Sequence, residues 1–251
     1  MANGVNHPFG LKPLSSISGG SWTEKTNEYR ISTDANGANS YGTSIFTGDP
    51  VIWNPVAANS GGGTIARYGF NTDGNVATNA VGVLGVFQGC EYTLPTGVLV
   101  KASYWPAATA VQAGSAIKAF VIDDPDVVYD IQVSTWTNVL NDARFTKALV
   151  GQNFGFGLGG GGANLIPNNP AEGSTRTGQS AVYLAHTFTA NDIVHTTVTL
   201  PLKVIGYTND PDNLSNPISY VADPTTSPFL NVMVQLNNHT YRAGSLGVVA
   251  A

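Results

Sequence analysis

The densest group of ionisable side chains in this sequence is Asp123-Asp124-Pro125-Asp126, with Asp130 four residues further on. Acids this close can hold Ca²⁺ through hard oxygen ligands. They can also supply the paired acid and base that cleave a glycosidic bond. The same residues suit a tight turn, in which Asp caps the bend and Pro presets φ. Asn209-Asp210-Pro211-Asp212-Asn213 repeats that chemistry, and neither stretch has the glycine or terminal glutamate of an EF-hand loop. The turn is the reading these residues favour.

Other routes to catalysis are thin. His7, His186, His195 and His239 show no short zinc-site spacing, and a single Cys cannot complete such a site. Asp192 and His195 would be half of a triad, but no Gly-x-Ser-x-Gly elbow exists to present a nucleophile. Gly157-x-Gly159-x-x-Gly162 matches a dinucleotide fingerprint only formally. The helix that must follow it is blocked by Pro167 and Pro170, and there is no Walker loop. Cys90 reads as a small buried hydrophobe carrying a reduced thiol. The residues thus point to no enzyme, no cofactor and no metal. One further group stands out: Tyr92, Tyr104 and Trp105 lie close to Cys90-Glu91. Such rings either stack on a sugar or fill a core or subunit contact.

The elements that position these residues read as strands. There are 29 Gly and 14 Pro spread along 251 residues, with short apolar runs between them, which is the rhythm of a sandwich or barrel. The pattern predicts strands over 44–46, 50–53, 80–88, 99–104, 115–122, 127–134, 181–188, 196–207, 217–221 and 229–236. In the last, Leu230, Val232, Val234 and Leu236 alternate with Asn231, Met233 and Gln235, so one face is buried. One short helix is predicted over 138–150, capped by Thr137 and stopped by Gly151. Residues 1–30 are turn-rich, with few apolar anchors beyond Phe9, Leu11, Leu14, Ile17 and Trp22. They read as an extended N-terminal arm ordered by another surface, or equally as a simple disordered terminus. A Gly-rich loop is expected around 152–179, and a long loop of this kind is usually functional or mobile.

Composition narrows the partners. Only 11% of residues are charged, with 11 Lys+Arg against 16 Asp+Glu and a net charge of −5. No basic stripe exists to neutralise nucleic-acid phosphates, and no apolar run reaches the length of a membrane-spanning helix. The stretch 1–14 lacks the basic start and apolar run of a secretory signal. The sequons Asn213-Leu214-Ser215 and Asn238-His239-Thr240 carry little weight without such a signal.

Several short patterns, in order, resemble a family of tailed-bacteriophage virion proteins. These are Pro8-Phe9-Gly10-Leu11-Lys12-Pro13, Gly48-Asp49-Pro50-Val51, the segment from Gly85 to Tyr92 ending Gly-Cys-Glu-Tyr, and Tyr104-Trp105-Pro106-Ala107. They continue with Asp123 to Gln132, Pro211-Asp212-Asn213 and Leu236-Asn237-Asn238-His239-Thr240-Tyr241. The resemblance lapses over 18–39. It implies a capsid decoration, or cement, protein: an all-β, jelly-roll-like sandwich, 31–251, preceded by the arm. Such a protein is made in the bacterial cytoplasm, sits as a homotrimer on the outer capsid surface, binds the major capsid protein and bridges capsomers without catalysis.

On this reading Phe9, Leu11 and Trp22 anchor the arm to the capsid or a neighbouring subunit, and deleting residues before Arg30 should abolish capsid binding while sparing the fold. A carbohydrate-binding virion module using Tyr92, Tyr104 and Trp105 is the alternative. A sugar-cleaving enzyme using Asp123, Asp124 or Asp126 is a further one. The shell subunit itself is a third, disfavoured by the scarcity of helix.

Overall fold

The computed structural model describes residues 8–33, 36–38, 40–54, 63–69, 82–134, 150–158, 173–185, 198–208 and 231–244. Among these, the secondary structure is all β. The strands are β1 Lys12–Ser16, β2 Asn27–Ile31, β3 Ile45–Phe46, β4 Pro50–Trp53, β5 Thr64–Arg67, β6 Gly85–Thr93 and β7 Leu99–Ala102. They continue with β8 Tyr104–Trp105, β9 Ile117–Ile122, β10 Val127–Ser134, β11 Asn153–Leu158, β12 Val182–Ala185, β13 Leu202–Tyr207 and β14 Asn231–Leu236. The all-β architecture expected from the turn rhythm is what forms. Of the predicted helix over 138–150 only Val150, in a turn, is described; the predicted strand over 217–221 lies outside the described residues, as do 159–172 of the Gly-rich stretch.

Among the described residues there are two six-stranded sheets and a two-stranded one, β3–β8. The first runs β1-β10-β12-β11-β13-β14, and β14 also pairs with β10. Five strands therefore close into a ring, with β1 added at the edge of β10. The second runs β4-β5-β2-β9-β6-β7, and β4 also pairs with β6, closing a second ring with β7 at its edge. Most pairings are antiparallel; β10–β12 and β2–β5 are short parallel seams. Closure removes most of the unpaired strand edges that would otherwise invite aggregation.

Side-chain alternation fills two cores from the same strands. In the second ring, Val51, Ile65, Ala119 and Val121 point inward with Ile31, Phe87 and Trp105. Their immediate neighbours Ile52, Ala66 and Ile122 point the other way, into the core shared with Tyr129, Phe154, Phe156, Leu184, Val204 and Val234. Period two thus welds the rings together, because one strand serves both cores. In β14, Val232, Val234 and Leu236 are fully buried, as their alternation predicted.

The expected N-terminal arm is corrected by the structure. β1 pairs with β10 through Lys12↔Asp130, Pro13↔Tyr129, Ser15↔Val128 and Ser16↔Val127, and β2 pairs with both β5 and β9. The described residues before 31 thus contribute β1 to the first sheet and most of β2 to the second. Pro13, which argues against a central strand, is tolerated because β1 is an edge strand, and a register irregularity falls between Pro13 and Ser15. Part of the expected loop around 152–179 is also strand. Phe154 and Phe156 of β11 are buried, while Gly157 lies beneath the ring of Tyr183 on β12, leaving no room for a Cβ.

Candidate functional site

The residues expected to face partners divide unequally. Leu11 is 1% exposed and belongs to the core of the first ring, so it is withdrawn as a partner anchor: its side chain is already spent on the protein's own interior. Trp22 is half-buried and packs against that core. Phe9 is half-buried. Of the three rings expected to stack on a sugar or fill a contact, Trp105 is fully buried and Tyr92 nearly so, their rings meeting edge to face at 5.2 Å. Tyr104 is half-buried and stacks on Phe46 at 5.4 Å. Tyr92 and Trp105 are core residues of the second ring, and they cannot form a sugar platform.

Cys90 lies beside them, buried, its thiol 3.4 Å from the carbonyl oxygen of Tyr104. Burial pushes that thiol up to about 12, which removes the thiolate that chemistry would need.

The short motifs of the sequence meet in a buried joint. The Leu11 amide donates to Gly48 O at 2.9 Å, and the Gly10 amide donates to Val182 O at 3.0 Å. Gly10 and Gly48 both have positive φ, 76° and 93°. A Cβ on Gly10 would lie 2.6 Å from Gly48 O and 2.7 Å from Ser180 Cβ, so two backbones approach here as only glycine allows. Next to them Asp49 Oδ2 contacts Arg67 Nε at 2.8 Å and accepts the Phe46 amide at 2.8 Å. Asp49 Oδ1 accepts the Ser180 hydroxyl at 2.5 Å and Arg67 Nη2 at 3.3 Å. The Arg67 guanidinium also lies 5.9 Å from the centre of the Phe46 ring.

Asp49 is fully buried and Arg67 is 5% exposed. Burial is the largest influence and leaves the Asp49 carboxyl above its ordinary value, although Arg67, the Phe46 amide and the Ser180 hydroxyl pull it down. Arg67 cannot lose its own charge, so the pair is held as ions. A hydroxyl beside a carboxylate suggests acid–base work. Here both are sealed from solvent and the carboxylate is committed to arginine, so the group acts as a lock.

The 123–126 segment is a turn joining β9 to β10, and hence one ring to the other. Its acids are engaged within the chain. Asp123 accepts both Asn27 Nδ2, at 2.8 and 2.9 Å, and the Tyr29 hydroxyl, at 2.6 Å. Asp124 Oδ1 accepts the Asp126 amide at 2.9 Å, and Asp126 pairs with Arg242 at 2.6 Å. Arg242 also donates to Pro125 O at 2.6 Å and to Leu236 O at 3.3 Å. Among the described residues no three His, Cys, Asp or Glu side chains group to hold a metal ion.

Beside this turn runs a row of rings that the sequence did not single out. Trp53 meets Tyr29 edge to face at 5.4 Å, the Tyr29 and Tyr241 hydroxyls are 3.3 Å apart, and Tyr241 lies 5.7 Å from His239. Burial, then the hydrogen bonds with Asp123 and Tyr241, holds the Tyr29 phenol well above its usual value. Burial and the nearby Arg242 lower His239. One signal was available in the sequence: Trp53 ends a strand whose inward residue, Val51, is two positions earlier, so its bulk had to emerge at the rim.

The chain matches no protein-family model, no curated protein and no solved structure. No helix among the described residues is long and apolar enough to cross a membrane.

Proposed function

We propose that this chain is a non-enzymatic virion structural protein that decorates the outer face of a bacteriophage capsid and stabilises it by bridging capsomers, in three copies around a threefold position. The observation that supports this is the β6–β7 hairpin. β7 is the edge of its sheet, and the hairpin tip presents Val98 and Leu99 at 55% and 57% exposed. The only charged residue in β7 is Lys101, which pairs across the strands with Glu91 at 3.2 Å. An edge strand this lightly guarded is suited to docking, through its backbone and its apolar tip. Each of the two side chains is about half exposed, so covering it contributes roughly 1 kcal/mol per copy. Many copies on one shell multiply that through avidity. The order of the virion-like motifs adds support, since those that fall on described residues go into the buried joint, the second core and the inter-ring turn.

The experiment is co-sedimentation of the purified chain with undecorated phage shells, together with the temperature at which decorated shells open. Saturable binding and a raised opening temperature are expected, with Val98→Asn/Leu99→Asn weakening binding about tenfold. Absence of binding would overturn the proposal, and unchanged binding by the variant would remove the hairpin from it. Light scattering should give three times 26.1 kDa, about 78 kDa, for the free trimer.

A further inference from the structure

The aromatic row beside the 123–126 turn plays no part in the clamp described above. Strand pairing explains how it arises. Trp53 of β4 is opposite Ile65 of β5, Ile65 is opposite Ile31 of β2, and Tyr29 lies two residues before Ile31. All four therefore share one face of the sheet. Further along that face the side chains fill the second core. At this rim Trp53 emerges, 36% exposed, and Tyr241 arrives from beyond β14, 57% exposed. His239, itself 3% exposed, stands beside Tyr241 and braces it through the Tyr241 amide, which donates to His239 Nδ1 at 3.1 Å.

Polar groups are fixed in the same place. Asn27 is opposite Val121, two residues before Asp123, so Asn27, Tyr29 and Asp123 also lie on this face. The Asn27 amide nitrogen must face the carboxylate, which only accepts, so its carbonyl oxygen is left over as a second acceptor. Asp123 is half-buried. It is oriented by the Asn27 and Tyr29 donors and retains acceptor capacity, since a carboxylate offers about four lone-pair sites.

We propose that this ridge is a sugar-binding site. The C–H face of a pyranose ring packs on Trp53 or Tyr241, and adjacent hydroxyls donate to the Asp123 carboxylate and the Asn27 carbonyl. The chemistry selects this class over others. A phosphate-bearing ligand meets a carboxylate on a chain of net charge −5, and Arg242, the nearby cation, is already bound to Asp126, Pro125 and Leu236. A purely apolar ligand would leave the oriented carboxylate desolvated and unpaired. A sugar brings both an apolar face and neutral donors. Rings held this firmly lose little entropy on binding. This site is separate from the β6–β7 hairpin, so it stands or falls independently of the capsid reading.

The test uses the full chain on an array of immobilised hexose, N-acetylhexosamine and deoxyhexose oligosaccharides, followed by titration of the best binder. At least one structure should be retained. Trp53→Ala and Tyr241→Ala should each weaken it about tenfold, and Asp123→Asn should weaken it as well. Tyr92→Phe should leave it unchanged. Both ring positions are exposed, so melting temperatures close to that of the parent chain will show that the variants fold. Retention of no oligosaccharide, or equal binding by Trp53→Ala/Tyr241→Ala, would overturn the proposal. So would a fall in native mass in that double variant, which would make the ridge a contact between copies of the chain.

Discussion

Removing the charge of Asp49 tests whether the motif joint is a lock. Asp49→Asn preserves volume and leaves one carbonyl oxygen for the Phe46 amide or the Ser180 hydroxyl. It also takes from Arg67 the carboxylate that its Nε and Nη2 contact, while Arg67, 5% exposed, keeps its charge. Breaking a buried pair by deleting one partner costs about 3–5 kcal/mol, because the remaining charge loses its counter-ion inside the protein. Against a typical total of about 5–15 kcal/mol, that is a large fraction of the stability. At roughly 2–4 °C per kcal/mol for chains of this size, the melting temperature should fall by about 6–20 °C. Urea titration should show a lower midpoint with an unchanged slope, marking a loss of stability in place of a change in the denatured state. Arg67→Met and Asp49→Asn/Arg67→Met complete a double-mutant cycle on the pair, and the double variant should cost less than the two single changes added together, by at least about 1 kcal/mol. A cost below about 1 kcal/mol for Asp49→Asn, or costs in the cycle that simply add, would refute the ion-pair lock.

Three further outcomes follow from buried groups. Cys90 should resist a thiol reagent at pH 8 in the native protein and react fully in denaturant, since burial holds it near 12; rapid native labelling would contradict its place in the core. Tyr129 is fully buried, and its hydroxyl has no hydrogen-bond partner among the described residues. Tyr129→Phe should therefore be neutral or stabilising by up to about 1 kcal/mol, measured by urea midpoint, and a loss of more than that would reveal a partner for the hydroxyl. His239 is lowered from its ordinary 6.5 by burial and by Arg242, against the opposing pull of Asp123, Asp124 and the Leu84 backbone. The folded ring thus binds protons less readily than the unfolded one. Its contribution is fully present above about pH 6.5 and is lost as pH falls below that value. Stability measured between about pH 5 and 7 should rise with pH, and His239→Asn should flatten that rise. An identical slope in the variant would assign the effect to other groups.

What the sequence made legible depended on whether one physical signal dominated locally. Pro50–Trp53 and Val127–Ser134 were bounded correctly because a turn residue precedes each apolar run. The strand expected over 80–88 ends five residues short of the end of β6, because Gly89, inside β6, reads as punctuation. Gly85 is required by contact with the backbone of Ile122, and Gly89, at φ 151°, sits at the register irregularity with β9. β11 was hidden by its glycines, although the Phe154-x-Phe156 alternation carried the strand signal. Of the two readings of Tyr92, Tyr104 and Trp105, the core reading holds: Tyr92 and Trp105 fill the second core and Tyr104 flanks it. The ridge rings at 29, 53 and 241 come from three distant segments that only the sheet brings together. The Asp turn was read correctly because its chemistry is local.

The N-terminal segment shows why this distinction affects experiments. Residues 1–30 contain β1 and four of the five residues of β2. β2 forms the parallel seam that helps close the second ring. They also contain Leu11, whose loss from the core alone costs about 2–5 kcal/mol by analogy with Leu→Ala. Deleting this segment should therefore unfold much of the chain, and any loss of capsid binding would follow from that collapse. Removing only residues 1–7 leaves Pro8, Gly10 and Leu11 in the joint, and both rings should persist. If that shorter deletion keeps the melting temperature but loses shell binding, the first seven residues carry docking. If both are retained, docking resides on the folded body, and substitutions at half-buried Phe9 and at the β6–β7 hairpin become the informative ones. A steep fall in melting temperature on removing residues 1–7 would show that they contribute to the fold beyond the contacts at Gly10, Gly48 and Asp49.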